Sequence, residues 1–187
     1  TSRRQRQMCK ETDLFIVSGA PNTGKSTTVY HLCTYLLNLG YVKTDIPYNG
    51  KRYSTSTSFP PILANDFSCL LEKEGKKVLI HTATDDVFNI DALVNSINNH
   101  KPSIVITTCR DFGDWPRDYF CSQLKLVNSF ILASTSDIDI EEFPLSRITR
   151  RTTRFATAYE WYFINSTHQI EKILSLPPYL SLIHISE

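Results

Sequence analysis

The chain lacks several features that would each indicate a class of protein. No apolar run approaches the roughly 18 residues that a membrane-spanning helix needs, so the sequence predicts no membrane segment. The net charge is only +1, so no overall field favours nucleic acid or an anionic membrane surface. The five cysteines show no C-x-x-C spacing and are odd in number, which argues against a disulfide framework or a zinc site. We therefore expect reduced, mostly buried thiols in a cytoplasmic protein.

The length of 187 residues suits a single domain with one sizeable core. Met8 is the only methionine and lies shortly before the first apolar run, so we expect residues 1–7 to be an upstream or non-native extension. The sequence LSLIHISE at 180–187 matches the translated start of a transposase-type sequencing adapter, so we expect an artefactual tail there. The domain is then predicted to cover residues 8–179.

Apolar residues alternate between strand and helix periodicity along the chain. The sequence predicts strands at 14–19, 103–108 and 130–133, a β-hairpin at 67–82, and helices at 26–39, 87–99, 115–126 and 154–174. The polar segment 41–65 is rich in turn residues and is predicted to be a long loop, a kind of segment that is often functional. Together these elements predict an α/β fold with a mostly parallel sheet, one β-hairpin and helices on both faces.

The stretch GAPNTGKST, residues 19–27, fits the phosphate-binding pattern G-x-x-x-x-G-K-[ST] and lies between a predicted strand and a predicted helix. In such a loop, backbone N–H groups and the helix start hold phosphate oxygens. Lys25 would add positive charge near the β- and γ-phosphates, Ser26 would offer a hydroxyl to Mg²⁺, and Thr27 would lie near the α-phosphate. The predicted cofactor-binding residues are Gly19, Ala20, Pro21, Asn22, Thr23, Gly24, Lys25, Ser26 and Thr27.

With this motif between a strand and a helix, the chain resembles the P-loop NTPase superfamily. The resemblance is specific over residues 14–40 and only topological beyond them. It implies a three-layer P-loop NTPase sandwich that binds a nucleoside triphosphate with Mg²⁺.

An acidic pair, Asp85 and Asp86, follows the second strand of the predicted hairpin. Phosphoryl transfer uses a metal ion held by the loop hydroxyl and usually by an acid at the end of a neighbouring strand. Either aspartate could serve the metal or position a water molecule. Either could instead cap the helix that begins near Val87, because Asp is a favoured N-cap residue.

The order of loop, helix, polar segment, hairpin and turn resembles the layout of Ras-like small GTPases. The residues His81-Thr82-Ala83-Thr84 stand where that family has Asp-Thr-Ala-Gly, so His81 replaces an acid of the metal relay. The nearest candidate for guanine recognition, Thr108 to Asp111, lacks the Asn and Lys of the family's Asn-Lys-x-Asp motif and comes one strand early. We therefore expect ATP rather than GTP.

Arginines supply further candidates for phosphate contacts. Arg110 ends a predicted strand at the same sheet edge as the loop, where it could reach a phosphate or an acceptor, or form an ion pair with Asp111 or Asp114. A second cluster resembles the lid of nucleotide kinases, although a solvated helix start would look the same. Its members are Arg147, Arg150, Arg151 and Arg154.

The sequence as a whole predicts a small bacterial or phage-type protein that binds Mg·ATP and hydrolyses or transfers the γ-phosphate. The predicted catalytic residues are Lys25, Asp85 and Arg110, and the predicted metal ligands are Ser26, Asp85 and Asp86. The phosphoryl acceptor or protein partner is not identified. One alternative is a nonenzymatic or slowly hydrolysing switch or assembly module, which His81 at the relay position favours. A second alternative, a nucleic-acid-dependent ATPase, is disfavoured by the low net charge.

Overall fold

A computed structural model describes residues 12–19, 24–47, 66–111, 113–126, 132–135 and 138–145, with backbone only for Thr27 and from 132 onward. The strands are β1 (Asp13–Gly19), β2 (Val42–Asp45), β3 (Ser68–Lys73), β4 (Lys76–His81), β5 (Ile104–Arg110), β6 (Leu132–Thr135) and β7 (Ile138–Leu145). The helices are α1 (Lys25–Asn38), α2 (Val87–His100) and α3 (Trp115–Gln123).

The strands form one sheet in the order β2-β3-β4-β5-β1-β7-β6. β1 pairs in parallel with β5 and β7, and β4 pairs in parallel with β5. The pairs β2–β3, β3–β4 and β6–β7 are antiparallel. The predicted α/β class is confirmed, but the sheet is mixed, with as many antiparallel as parallel pairings, so the prediction of a mostly parallel sheet with one hairpin is too simple.

Two strands account for this difference. β2 lies within segment 41–65, which was predicted to be loop, and it pairs with β3. Its four residues alternate between exposed and half-buried positions, and a strand that short carries little hydrophobic signal. β7 follows the predicted strand at 130–133 and was not predicted at all, because its sequence IDIEEFPL is acidic and contains proline. The other predictions agree with the described helices and strands to within a few residues.

The core lies on both faces of the sheet, because side chains alternate between the faces along each central strand. In β1, Phe15 and Val17 pack with helix α1, whereas Leu14 and Ile16 pack with helices α2 and α3. β4 and β5 divide their side chains between the same two clusters. The helices therefore cover both faces, as predicted.

This topology brings several chain segments to one edge of the sheet. β1, β4 and β5 run in parallel, so their carboxyl ends coincide, and Gly19 of β1 is in register with Arg110 of β5. Helices α1, α2 and α3 each begin after one of these strands. In open α/β sheets this is the edge at which ligands bind.

Several sequence predictions concern residues outside the described ranges. These are the two terminal segments, the loop residues Ala20, Pro21, Asn22 and Thr23, the greater part of segment 41–65, the arginine cluster at 147–154 and the helix at 154–174.

Candidate functional site

Helix α1 begins directly after the glycine-rich stretch. Gly24, its N-cap residue, has φ 92° and ψ 19°, a left-handed conformation that glycine adopts without steric cost. The Gly24 carbonyl accepts from the backbone N–H of Thr28 at 2.9 Å, which starts the helix. The N–H groups of the first turn have no acceptor within the helix, and glycine has no side chain that could cap them. This helix start is therefore suited to bind an anion.

Lys25 is the first residue of this helix and has only 9% of its surface exposed. Burial lowers the pKa of its ammonium group, and the positive charge of Arg110 lowers it further. The carboxylates of Asp85 and Asp66 act in the opposite direction. The ammonium group therefore lies within electrostatic reach of Arg110, Asp85 and Asp66.

Ser26 contacts an acid that the sequence did not single out. Its hydroxyl donates to Oδ1 of Asp66 at 2.8 Å, and the hydroxyl of Thr82 lies 3.2 Å from the same oxygen. Thr82 is fixed in turn, because its Oγ1 accepts from the backbone N–H of Phe67 at 2.8 Å. Two hydroxyl oxygens and one carboxylate oxygen thus lie close together. They belong to Ser26 at the helix start, Thr82 in the turn after β4 and Asp66 just before β3.

Burial raises the pKa of Asp66 above its ordinary value, and the nearby carboxylate of Asp85 adds to this effect. The hydrogen bonds from Ser26 and Thr82 and the charge of Lys25 oppose it. A buried carboxylate is costly unless it is neutralised by a proton or a cation. The position of Asp66 beside the loop hydroxyl thus favours binding of a cation.

Asp85, the predicted catalytic and metal-binding acid, lies at the same edge but forms an ion pair with Arg110. The Arg110 Nε donates to Asp85 Oδ1 at 2.6 Å, and the two side chains are 18% and 50% exposed, respectively. The sequence left open whether Arg110 contacts a phosphate or pairs with Asp111 or Asp114, and the ion pair described here joins it to Asp85 instead. The structure thus brings Lys25, Asp85 and Arg110 together.

Asp86 has a different position from its neighbour. It is the N-cap residue of α2, and its Oδ1 accepts from the backbone N–H of Asn89 at 2.8 Å. Its Oδ2 accepts from the Asn89 side-chain amide, also at 2.8 Å. Both oxygens thus serve the helix start, which is the capping role considered from the sequence, and this geometry does not favour Asp86 as a metal ligand.

His81 ends β4 and is fully buried. Its Nε2 lies 2.8 Å from the carbonyl oxygen of Ala83 and 3.1 Å from that of Asn89. Because carbonyl oxygens only accept, Nε2 carries the proton, and Nδ1 accepts from the Ser68 hydroxyl at 3.0 Å. Burial lowers the pKa of His81 to about 4, so the ring is neutral at pH 7. His81 joins β3, the turn after β4 and helix α2, and it holds the segment that carries Thr82 and Asp85.

Arg117 is a second residue that the sequence did not indicate. It is only 2% exposed, and its Nη1 donates to the backbone carbonyl of Arg110 at 3.1 Å and lies 3.8 Å from the Cys109 sulfur. It therefore supports the end of β5, where Arg110 leaves the sheet. Its place in the first turns of α3, three residues before the buried Phe120, was the one sequence signal of an inward-facing position.

The described part of the chain contains neither a membrane-spanning helix nor a cluster of metal-ligating side chains. No helix there is long and apolar enough to cross a membrane. Over the same residues, no group of three or more His, Cys, Asp or Glu side chains is placed to hold a metal ion. Four of the five cysteines lie in the described ranges, and all four are buried and form no disulfide, as expected.

Comparisons with known proteins provide no relative. No family model, curated protein or solved structure matches the chain.

Proposed function

We propose that the chain is a P-loop NTPase that binds Mg·ATP at the carboxyl edge of its sheet and hydrolyses or transfers the γ-phosphate. The observation that carries this proposal is the hydrogen bond of 2.8 Å between Ser26, in its motif position, and Asp66. It joins a hydroxyl and a carboxylate directly beside the buried ammonium group of Lys25.

The first support is a concentration of positive charge where a phosphate would bind. Arg110 is close enough to Lys25 for its positive charge to disfavour the charged state of the lysine, and the first turn of α1 contains no acidic residue. Keeping an ammonium group almost fully buried is costly. A bound triphosphate would offset that cost, because its oxygens would pair with Lys25, Arg110 and the N–H groups of the helix start.

The second support is that the oxygen atoms fit magnesium. Mg²⁺ prefers hard oxygen ligands and is usually bound through one or two protein groups, with phosphate oxygens and water as the other ligands. The Ser26 hydroxyl and the Asp66 carboxylate would meet that need, so a site of this kind requires no cluster of three acids. When bound, Mg²⁺ would neutralise part of the negative charge of the phosphate groups.

The charged side chains can then be given separate roles. Lys25 stabilises negative charge on the phosphoryl group, and Arg110 contacts an oxygen of the γ-phosphate. Asp66 binds the metal ion together with Ser26, a role that the sequence analysis predicted for Asp85 and Asp86. Asp85, which is half-exposed, would orient the attacking water or the acceptor hydroxyl. Asp86 caps α2 and takes no part in the chemistry.

A nonenzymatic switch is a second candidate, because a specific contact favours it. In the present structure Asp85 is held by Arg110, so it is oriented by that ion pair rather than towards a water molecule. His81, neutral and enclosed by backbone carbonyls, supplies no acid at the relay position. If the Asp85–Arg110 pair persists with ATP bound, the protein would bind ATP and hydrolyse it slowly.

Phosphate release from ATP and from GTP, each with Mg²⁺, tests the proposal. Turnover with ATP is expected, with a loss of about 100- to 1,000-fold in kcat for Lys25→Ala, the size seen when one preorganised donor is removed. Lys77→Ala, at the far end of β4, is the matched control and should leave turnover unchanged. Tight ATP binding without turnover would instead support the switch. No binding of ATP or GTP would contradict both candidates, and stimulation by DNA or RNA would support a nucleic-acid-dependent ATPase.

A further inference from the structure

The pairing of β4 with β5 ends just before the residues that carry the candidate site. The last paired residues are His81 and Thr107, whereas β5 continues beside β1 as far as Arg110. Thr82 and Asp85 follow the point at which β4 leaves this ladder. Contacts other than the backbone pairing of β4 with β5 must therefore fix their position relative to Arg110.

Buried threonine hydroxyls continue the connection where the ladder stops. The Thr108 hydroxyl donates to the backbone carbonyl of Thr82 at 2.7 Å. The Thr84 hydroxyl lies 2.9 Å from Thr108 Oγ1 and 3.1 Å from the Thr108 carbonyl oxygen. Because the one hydroxyl proton of Thr108 is directed to Thr82, the Thr84 hydroxyl is the donor in both contacts. All three threonines are buried, so these hydrogen bonds lie away from bulk solvent.

This chain of hydroxyls reaches the side of the site that would hold the metal ion. The Thr82 hydroxyl lies 3.2 Å from Asp66 Oδ1 and accepts from the backbone N–H of Phe67. The Thr82 N–H donates in turn to the Phe67 carbonyl at 3.0 Å. Thr82 is thus held by the residues before β3 on one side and by Thr108 of β5 on the other.

The same hydroxyls reach the side of the site that would hold the phosphates. Thr84 directly precedes Asp85, and Thr108 lies two residues before Arg110 on β5. Asp85 and Arg110 form the ion pair at 2.6 Å. The hydrogen bond between Thr84 and Thr108 therefore joins the two backbone segments that carry this ion pair.

The neighbouring residue Thr107 forms a similar bond with a different consequence. Its hydroxyl is fully buried and donates to the backbone carbonyl of His81, also at 2.7 Å. His81, however, is already paired through the sheet with Ser68 of β3 and with Thr107 itself. The Thr107 hydroxyl thus repeats a connection that the ladder provides, whereas the Thr108 hydroxyl extends it by one residue to Thr82.

We propose that Thr108 is a positioning residue of the candidate site. Its hydroxyl fixes the turn that carries Thr82 and Asp85 against the strand end that carries Arg110. Thr108 is only 1% exposed, so it acts through the groups that it holds rather than by touching ATP. Its effect on turnover rests on the proposed function, whereas the positioning itself can be measured without nucleotide.

Steady-state phosphate release from Mg·ATP tests this role with a matched pair of variants. Thr108→Val and Thr107→Val each lose one buried hydroxyl, so both should lower the urea midpoint of unfolding by a similar amount. Only Thr108→Val should lower kcat, by about 10- to 100-fold, because small displacements of catalytic groups slow a reaction strongly. ATP binding without Mg²⁺ should be unchanged in both, since Lys25 and the helix start are untouched.

Thr108→Ser, which retains the hydroxyl, should restore turnover. A kcat that is equal in Thr108→Val and Thr107→Val would overturn the proposal, as would a loss that Thr108→Ser does not restore.

Amide hydrogen exchange of the nucleotide-free protein decides the positioning role independently of turnover. The Thr82 N–H should exchange about 10-fold faster in Thr108→Val than in Thr107→Val, because the turn opens locally without global unfolding. Equal exchange in the two variants would overturn the proposal. Thr84→Val removes the other end of the chain of hydroxyls and should speed the same exchange, which keeps the test decisive if Thr108→Val does not fold. A wild-type chain that binds no ATP would contradict the proposed function alone, because the exchange comparison would still stand.

Discussion

Asp66 and Asp85 lie at the same sheet edge and near the same lysine, yet their environments differ. Asp66 is partly buried, contacts two hydroxyl groups, and has a raised pKa because of burial. Asp85 is half-exposed and is paired with Arg110. A carboxylate that is partly buried beside hydroxyls is neutralised by a proton or a cation, whereas a half-exposed carboxylate with an arginine partner is already neutralised. In the proposed function, Asp66 would therefore take the role beside the metal ion, and Asp85 would orient the attacking water or the acceptor.

Removing the charge of each carboxylate separately tests whether Asp66 and Asp85 have different roles. Asp66→Asn should lower kcat/KM for Mg·ATP by about 100-fold or more, because a charge in a water-poor site is lost. Asp85→Asn should cost only about fivefold, corresponding to ~1 kcal/mol for a solvent-screened charge. Steady-state phosphate release at several Mg²⁺ concentrations measures both. Equal losses, or a larger loss for Asp85→Asn, would reverse the assignment.

The second prediction concerns His81, which fixes the segment between the two acids. Its pKa is about 4 in the folded protein, against 6.5 for an ordinary histidine. The unfolded chain therefore binds more protons between these values, so the stabilisation is complete above pH 6.5 and is lost as the pH falls towards 4. The effect is up to about 3 kcal/mol.

Urea unfolding at pH 7.5, 6 and 5 would measure this loss. His31 shares in it, because burial also lowers its pKa to about 4. Replacing His31 by Gln separates the two contributions, because His81 remains. A free energy of unfolding that stays constant between pH 7.5 and 5 would contradict the buried, neutral state of both rings.

A smaller effect is expected for Asp86, which tests whether the neighbour of Asp85 is only structural. Asp86→Ala should lower the free energy of unfolding by about 1 kcal/mol, because α2 loses its N-cap. Asp86→Ser should restore most of that stability, since serine also caps helices. Turnover at saturating Mg·ATP should be unchanged in both variants. A loss of turnover in the serine variant would return Asp86 to the metal-binding set.

The smallest effect is expected for the Asp85–Arg110 pair itself. A double-mutant cycle with Asp85→Ala and Arg110→Ala should give a coupling of about 0.2–1 kcal/mol in stability, as for other exposed ion pairs. Chemical denaturation of the four proteins gives this number. A coupling of several kcal/mol would show that Asp85 is as buried as Asp66 and would remove the contrast between them.

Much of this arrangement could be predicted from local sequence patterns. The hairpin of β3 and β4, the three described helices and the placement of Lys25, Asp85 and Arg110 at one edge follow from hydrophobic periodicity and from the rule that parallel strands end together. The capping role of Asp86 also follows from its position directly before a helical pattern. These features depend on neighbouring residues or on topology alone.

The contacts of Asp66 could not be predicted in this way. Asp66 lies 40 residues from Ser26 and follows a long polar segment, so only the antiparallel pairing of β3 with β4 brings it to the loop. Its one sequence signal is its position directly before the apolar run FSCLL, where the chain returns to the sheet. β2 and β7 were missed for a related reason, because both are edge or near-edge strands whose polar residues carry no hydrophobic periodicity.

Calorimetric titration of ATP into the wild-type chain, Asp66→Asn and Asp85→Asn, each with and without Mg²⁺, tests most directly whether Asp66 binds the metal ion. We expect that Mg²⁺ strengthens ATP binding to the wild type and that this gain is lost in Asp66→Asn but retained in Asp85→Asn. Magnesium-dependent binding that survives in Asp66→Asn would contradict it, as would a wild-type chain that binds no ATP.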